Sequence, residues 1–146
     1  MITILLSSII FYDFQKIDYE HGKESFEIMN DVSKLVNGIN RLGIETKHIT
    51  TIQTINQWPT AYPEMRFDIS VISHDNYDNL HDYILNSKAK GLTHIIIDDA
   101  ENRPIFLRDL FFDESKYNYL KKIYDSKDYG FNYHVKVFEI NYQKFS

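Results

Sequence analysis

Cysteine is absent from the 146 residues, which excludes a disulfide framework and thiolate metal sites. It leaves the redox compartment open, because an extracytoplasmic domain can also do without cysteine. Basic clusters are missing too: the densest pair is Lys121-Lys122, and the formal charge is -5. A nucleic-acid binder needs a net basic face to neutralise phosphates, so that class is excluded. No glycine-rich phosphate loop ends in Lys-Ser or Lys-Thr and no GxGxxG occurs, so the usual nucleotide cradles are absent. No two of the six histidines stand at the i, i+4 spacing of a zinc protease helix. Ser25, Ser70, Ser73 and Ser87 lie in no nucleophile-elbow context. Internal repeats and low-complexity linkers are also lacking.

What is present describes one domain. Hydrophobic residues make up 43% and charged residues 25% of the chain, a composition that is neither disordered nor a bundle of membrane spans. Its length suffices for a single hydrophobic core. Aromatic residues reach 15%, mostly Tyr and Phe. Tyr has an apolar body and a polar tip, and suits half-buried strands, wet interfaces, sugar-stacking surfaces and headgroup zones alike.

The opening run Met1–Tyr12 carries no charge before Asp13. As a helix it measures about 18 Å, against ~30 Å of bilayer hydrocarbon. No Lys or Arg precedes it and no small-residue cleavage site follows, so it is not a signal peptide. Three readings stay open: a buried first strand, a buried helix, or the last turns of a transmembrane helix whose start was cut away. Two features favour the third. The run lacks period-2 alternation, and it is followed by an aromatic pair and a mixed polar exit (FYDFQKIDYE), as at a membrane–water interface. The expected division is therefore residues 1–12 as a membrane-helix end and 13–146 as one soluble domain. That exit is poor in Lys and Arg, which fits the outer side of the membrane.

Beyond it, the spacing of Phe26, Ile28, Met29, Val32, Leu35 and Val36 predicts an amphipathic helix over Glu20–Val36. Thr46–Ile52 and Phe67–Ile72 read as strands, and Trp58-Pro59 and Tyr62-Pro63 mark a structured loop between them. A helix is expected over Asn76–Lys90, capped from Ser73, His74 or Asp75 and closed by Gly91. Thr93–Asp98, with three consecutive isoleucines, reads as a central strand covered on both faces. Pro104 opens a short helix over Ile105–Phe112, and Asp113–Asn118 adds a further turn. Tyr119–Tyr124 and Tyr133–Tyr142 close the chain as an antiparallel hairpin. The helix between Phe67–Ile72 and Thr93–Asp98 implies a parallel crossover. The expected fold is thus α/β: a small mixed sheet with helices packed on it and a C-terminal hairpin.

Three places carry candidate chemistry. Asp98 and Asp99 end the isoleucine strand, where Mg²⁺, phosphate or ribose is often handled. The alternative there is a solvated acidic turn with Glu101 and Arg103 as partners. His74, Asp78 and His81 could share one helical face as metal ligands, or act as caps and solvated surface. Trp58 offers a sugar-stacking or partner-contact site, or a plug inserted into the core.

The last third carries a resemblance. GLTHIIIDD (Gly91–Asp99), RPIFLRDLFFDESKYNYLKKIYDS (Arg103–Ser126) and GFNYHVKVFEINY (Gly130–Tyr142) resemble the carboxy-terminal soluble domain of archaeal multi-spanning glycosyltransferases. These are the GT-C class, related to dolichyl-phosphate-mannose protein mannosyltransferases and to the RgtA/B/C/D-like family. The apolar exit, DYEHGKESFEIMNDV and the Trp-Pro loop fit the same plan less specifically, so the resemblance spans nearly the whole chain. It implies that the lipid-linked sugar donor and the acceptor meet the membrane part, and that the catalytic Asp lies on an early extracytoplasmic loop upstream of this chain. Asp98 and Asp99 match the strand-end acidic position of the tail, not that catalytic acid. The resemblance therefore implies an accessory extracytoplasmic domain at the cell membrane, without catalytic residue, metal or cofactor of its own. The alternative is a free-standing soluble α/β binding module with residues 1–12 as a buried strand.

Overall fold

A computed structural model describes residues 2–37, 47–50, 69–72, 74 and 76–145; for 2–18, 37, 47–50 and 69–71 it describes the backbone only. The first element is one unbroken helix, α1 (Ile2–Asn37). Then come β1 (Lys47–Thr50), β2 (Ile69–Val71), α2 (Leu80–Lys88), β3 (Leu92–Asp98), α3 (Ile105–Phe112), β4 (Leu120–Asp125) and β5 (Val135–Ile140). Single 3₁₀ turns occupy Glu114–Lys116 and Ser126–Tyr129.

The strands form one sheet in the order β2-β1-β3-β5-β4. β1 pairs parallel with both β2 and β3, while β5 pairs antiparallel with β3 and β4. This is the mixed sheet expected, with the parallel crossover through α2 and the closing hairpin in place. The isoleucine strand β3 is central, as its continuous apolar run requires, and Ile95, Ile96 and Ile97 are fully buried.

Helices cover both faces. On one, α2 and α3 bury Leu80, Tyr83, Ile84, Leu107 and Leu110 against Ile95, Ile97 and Phe138. On the other, α1 lays Ile28, Met29, Val32 and Val36 over Ile96, Val135 and Val137. Ser25, Ile28, Met29, Val32, Ser33 and Val36 are all buried, the three- and four-residue stripe of a core-facing helix. Leu35, expected beside that stripe, lies on the exposed side.

Residues 2–12 are helical, which excludes the buried first strand, and α1 runs without a break through the division expected between residues 12 and 13. The polar exit contains no proline or glycine before Gly22, so nothing in it stops the helix. Asp13, Lys16 and Asp18 interrupt the apolar run, and among the described residues no helix is long and apolar enough to cross a membrane. One boundary differs from expectation, the start of α2, at Leu80. Its cap is Asn79, not Ser73, His74 or Asp75: the Asn79 side chain accepts from Asp82 N and donates to Asp82 Oδ2, both at 2.8 Å. The first is an N-cap bond to the third helical residue, and the second links the two side chains across the same turn. Gly91, at φ 84°, ends the helix as expected.

Candidate functional site

The carboxyl ends of β3 and β4 lie beside the start of β5, since Asp98 registers with Val135 and Asp125 with Lys136. Polar side chains gather at this edge in two groups, one on each face of the sheet.

On the α1 face the centre is Asp98, 3% exposed. Arg103 reaches back across the β3–α3 turn and donates from Nε to Oδ1 at 2.6 Å and from Nη2 to Oδ2 at 2.8 Å. Tyr133 Oη donates to Oδ2 at 2.7 Å, and Ala100 N approaches Oδ1 at 3.4 Å. Burial by itself would raise this carboxyl. The hydrogen bonds from Arg103 and Tyr133, with the guanidinium charge, outweigh it and hold Asp98 below the usual carboxylate range. Both oxygens are occupied, so a cation or phosphate ligand at Asp98 would have to displace Arg103 or Tyr133. The turn itself is divided: Asp98 is buried, whereas Asp99, Glu101 and Asn102 are exposed.

Helix α1 is fastened to the same corner. Glu24 accepts from Asn132 N, Asn132 Nδ2 and Tyr133 N at 3.1, 3.0 and 2.7 Å, and the His21 ring lies 4.4 Å from that of Tyr133. Tyr133 thus joins the helix, through Glu24, to the Asp98–Arg103 pair. Burial acts to raise the Glu24 carboxyl, but the backbone donors of Tyr133 and Asn132 hold it below its ordinary value. Replacing Glu24 with alanine is expected to destabilise the chain by about 1–2 kcal/mol, the lower part of the range for charge-assisted bonds because the site is partly solvated. The folded-state value is depressed, so this contribution is present at neutral pH and lost as pH falls through it. Chemical denaturation of wild type and Glu24→Ala at two pH values checks both statements.

On the α3 face, Asp125 Oδ1 lies 2.9 Å from His134 Nε2 and accepts from Lys127 N at 3.2 Å. Lys122 bridges Asp125 and Glu114, at 3.4 and 2.9 Å. Lys136 donates to Phe111 O at 2.8 Å and stands 4.7 Å above the Phe111 ring. His134 meets that ring edge-on. The Asp125 carboxyl, which burial would raise, is held low by the Lys127 amide and by His134. Salt links thus join the Glu114 turn to the hairpin, and Lys136 ties α3 to them through the Phe111 carbonyl and ring.

The expected site residues are thereby separated. Asp98 is a buried anchor, Asp99 an exposed neighbour, and Trp58 falls outside the described residues. His74, Asp78 and His81 do not share a helical face, because α2 begins after Asp78. His81 instead lies 3.6 Å from Asp82 and against the Phe145 ring. Among the described residues no group of three or more His, Asp or Glu is placed to hold a metal. Glu24, Tyr133 and the Asp125–His134 pair were not foreseen. In the sequence Tyr133 and His134 simply begin the last expected strand, and Glu24 falls within the expected helix Glu20–Val36. Matched against protein-family models, curated proteins and solved structures, the chain finds no counterpart.

Proposed function

We propose that this chain is an accessory extracytoplasmic domain of a membrane glycosyltransferase that transfers sugar from a lipid-phosphate donor, with the chemistry carried out by the membrane part. The observation that carries the reading is the continuity of α1. The charge-free run of its first turns and the stripe buried against β3 and β5 belong to one rod. A rod of 36 residues is about 54 Å long, while β3, at seven residues, spans about 23 Å. Much of the helix therefore has no sheet to cover, and its surplus is the apolar half.

Two further points support it. Asp98, the residue best placed for catalysis by its position in the sheet, has its carboxylate engaged by Arg103 and Tyr133, as suits a domain that leaves the chemistry elsewhere. The Gly91–Tyr142 segment also resembles the tail of such enzymes. The alternative of a free-standing module relied on residues 1–12 as an inner strand, and no observation favours it now.

The test is the genetic locus. Apolar spans of about 20 residues encoded upstream of Met1, in frame or in the same operon, are expected. A locus without them overturns the reading.

A further inference from the structure

Helix α1 meets the sheet in a fixed order. His21 and Glu24 touch Tyr133 and Asn132, just before β5 begins. Ile28 to Val36 then lie over the interior of the sheet. An unbroken helix keeps its direction, so residues preceding Tyr19 leave the domain across the edge formed by the carboxyl ends of β3 and β4.

That edge also gathers the exposed apolar side chains. Among the described residues six large hydrophobics are exposed, and four of them attach here: Tyr19, Ile105, Phe112 and Tyr129, each between 63% and 75% exposed. Tyr19 lies two residues before His21. Ile105 begins α3, two residues after Arg103, whose guanidinium is bound to Asp98. Phe112 packs on Phe111, the ring met by His134 and Lys136. Tyr129 stacks on Tyr124, beside Asp125, with ring centroids 5.0 Å apart. The remaining two, Leu35 and Leu85, are elsewhere, Leu35 at the far end of α1.

We infer that this edge rests on the bilayer, with Tyr19, Ile105, Phe112 and Tyr129 set into the headgroup–acyl boundary. Lipid is the occupant because the apolar part of α1 departs through the same edge, and Tyr and Phe beside an apolar helix end suit an interface of mixed polarity. Charge selects no anionic lipid. Among the described residues Asp99, Glu101 and Asp128 offset Arg108 and Lys127 there, and Lys122 and Lys136 are held by Glu114, which leaves no free cationic cluster of the kind anionic headgroups require. The carboxyl-end loops would then face the membrane, bringing the Asp99–Asn102 turn near any lipid-linked substrate. The inference rests on the membrane-anchored reading and adds the domain's orientation to it.

The absence of cysteine allows a clean test. Single-cysteine variants Leu5→Cys, Ile105→Cys, Phe112→Cys, Tyr129→Cys and Leu35→Cys of the full chain are labelled with an environment-sensitive fluorophore and mixed with phosphatidylcholine vesicles. Substitution at the exposed positions should leave the fold intact. A blue shift is expected at 5 and at two or more of 105, 112 and 129, with none at 35, about 24 Å along α1 from Tyr19. A shift at 5 with fewer than two of 105, 112 and 129 responding overturns the orientation and leaves the anchor standing. A shift at 35 equal to the others overturns it as well. Silence at 5 removes the anchored reading together with the inference.

Discussion

Replacing Arg103 with methionine is expected to cost about 3–5 kcal/mol of folding stability, the largest loss from any single polar substitution among the described residues. Methionine keeps much of the apolar stem and removes the charge, so the loss reports the pair more than the packing. The magnitude follows from burial. The Asp98 side chain is 2% exposed and that of Arg103 11%, so the carboxylate left behind has little water to turn to and keeps one strong donor, Tyr133. Tyr133→Phe leaves the two-pronged contact with Arg103 intact and is expected to cost about 1 kcal/mol, one hydrogen bond. Equilibrium denaturation of the three proteins tests the ordering. A loss below about 1 kcal/mol for Arg103→Met would place the pair among ordinary surface bridges.

The pH dependence separates the pair from simple packing loss. In the native protein Asp98 sits below its unfolded value of about 3.9. Its stabilising contribution is therefore complete above that value and disappears as pH falls through the folded one. Without Arg103, burial dominates and the carboxyl moves up, so acid protonates a group that the fold prefers neutral. The stability gap between native protein and variant should be widest near neutral pH and shrink towards acid. A gap constant from pH 7 to pH 3 would assign the loss to packing.

Where one physical cause dominates locally, the sequence could be read. Ile95–Ile97 had to be a central strand because only burial on both faces explains an unbroken apolar run, and Pro104 could start α3 because its missing N–H is not needed there. The start of α2 was harder, since Ser73, Asp75, Asn76, Asp78 and Asn79 can all cap a helix. In the structure Asn79 takes the cap and bonds Asp82 both ways, yet Asp75 with Asp78 offers the same spacing, so the pattern alone does not choose between them. Met1–Tyr12 was ambiguous because an Ile-rich run suits strand and helix alike, and the deciding feature lies outside it, in a polar exit with no helix stop. The Asp98 site was legible in part. Arg103 was nameable as a partner five residues on, but Tyr133 reaches Asp98 across 35 positions and Glu24 reaches Tyr133 across 109, and no local pattern encodes such contacts.

The division of labour along α1 leads to the other large effect. Ile28 is fully buried among the side chains that α1 shares with Ile96, Val135 and Val137. Ile28→Ala should destabilise the domain by about 2–5 kcal/mol, from lost apolar transfer and the cavity left in a face that the strands cannot close. Deleting Met1–Tyr12 should shift the denaturation midpoint little, because the stripe from Ser25 to Val36 and the Glu24 clamp lie beyond the cut. The deletion should nevertheless abolish vesicle binding, which Ile28→Ala leaves unchanged so long as the protein is folded. The two variants thus separate the two halves of one helix: the second closes the core, and the first, on the proposed reading, reaches the membrane. If the deletion unfolded the chain as Ile28→Ala does, the apolar turns would belong to the core, and the helix could not serve as an anchor.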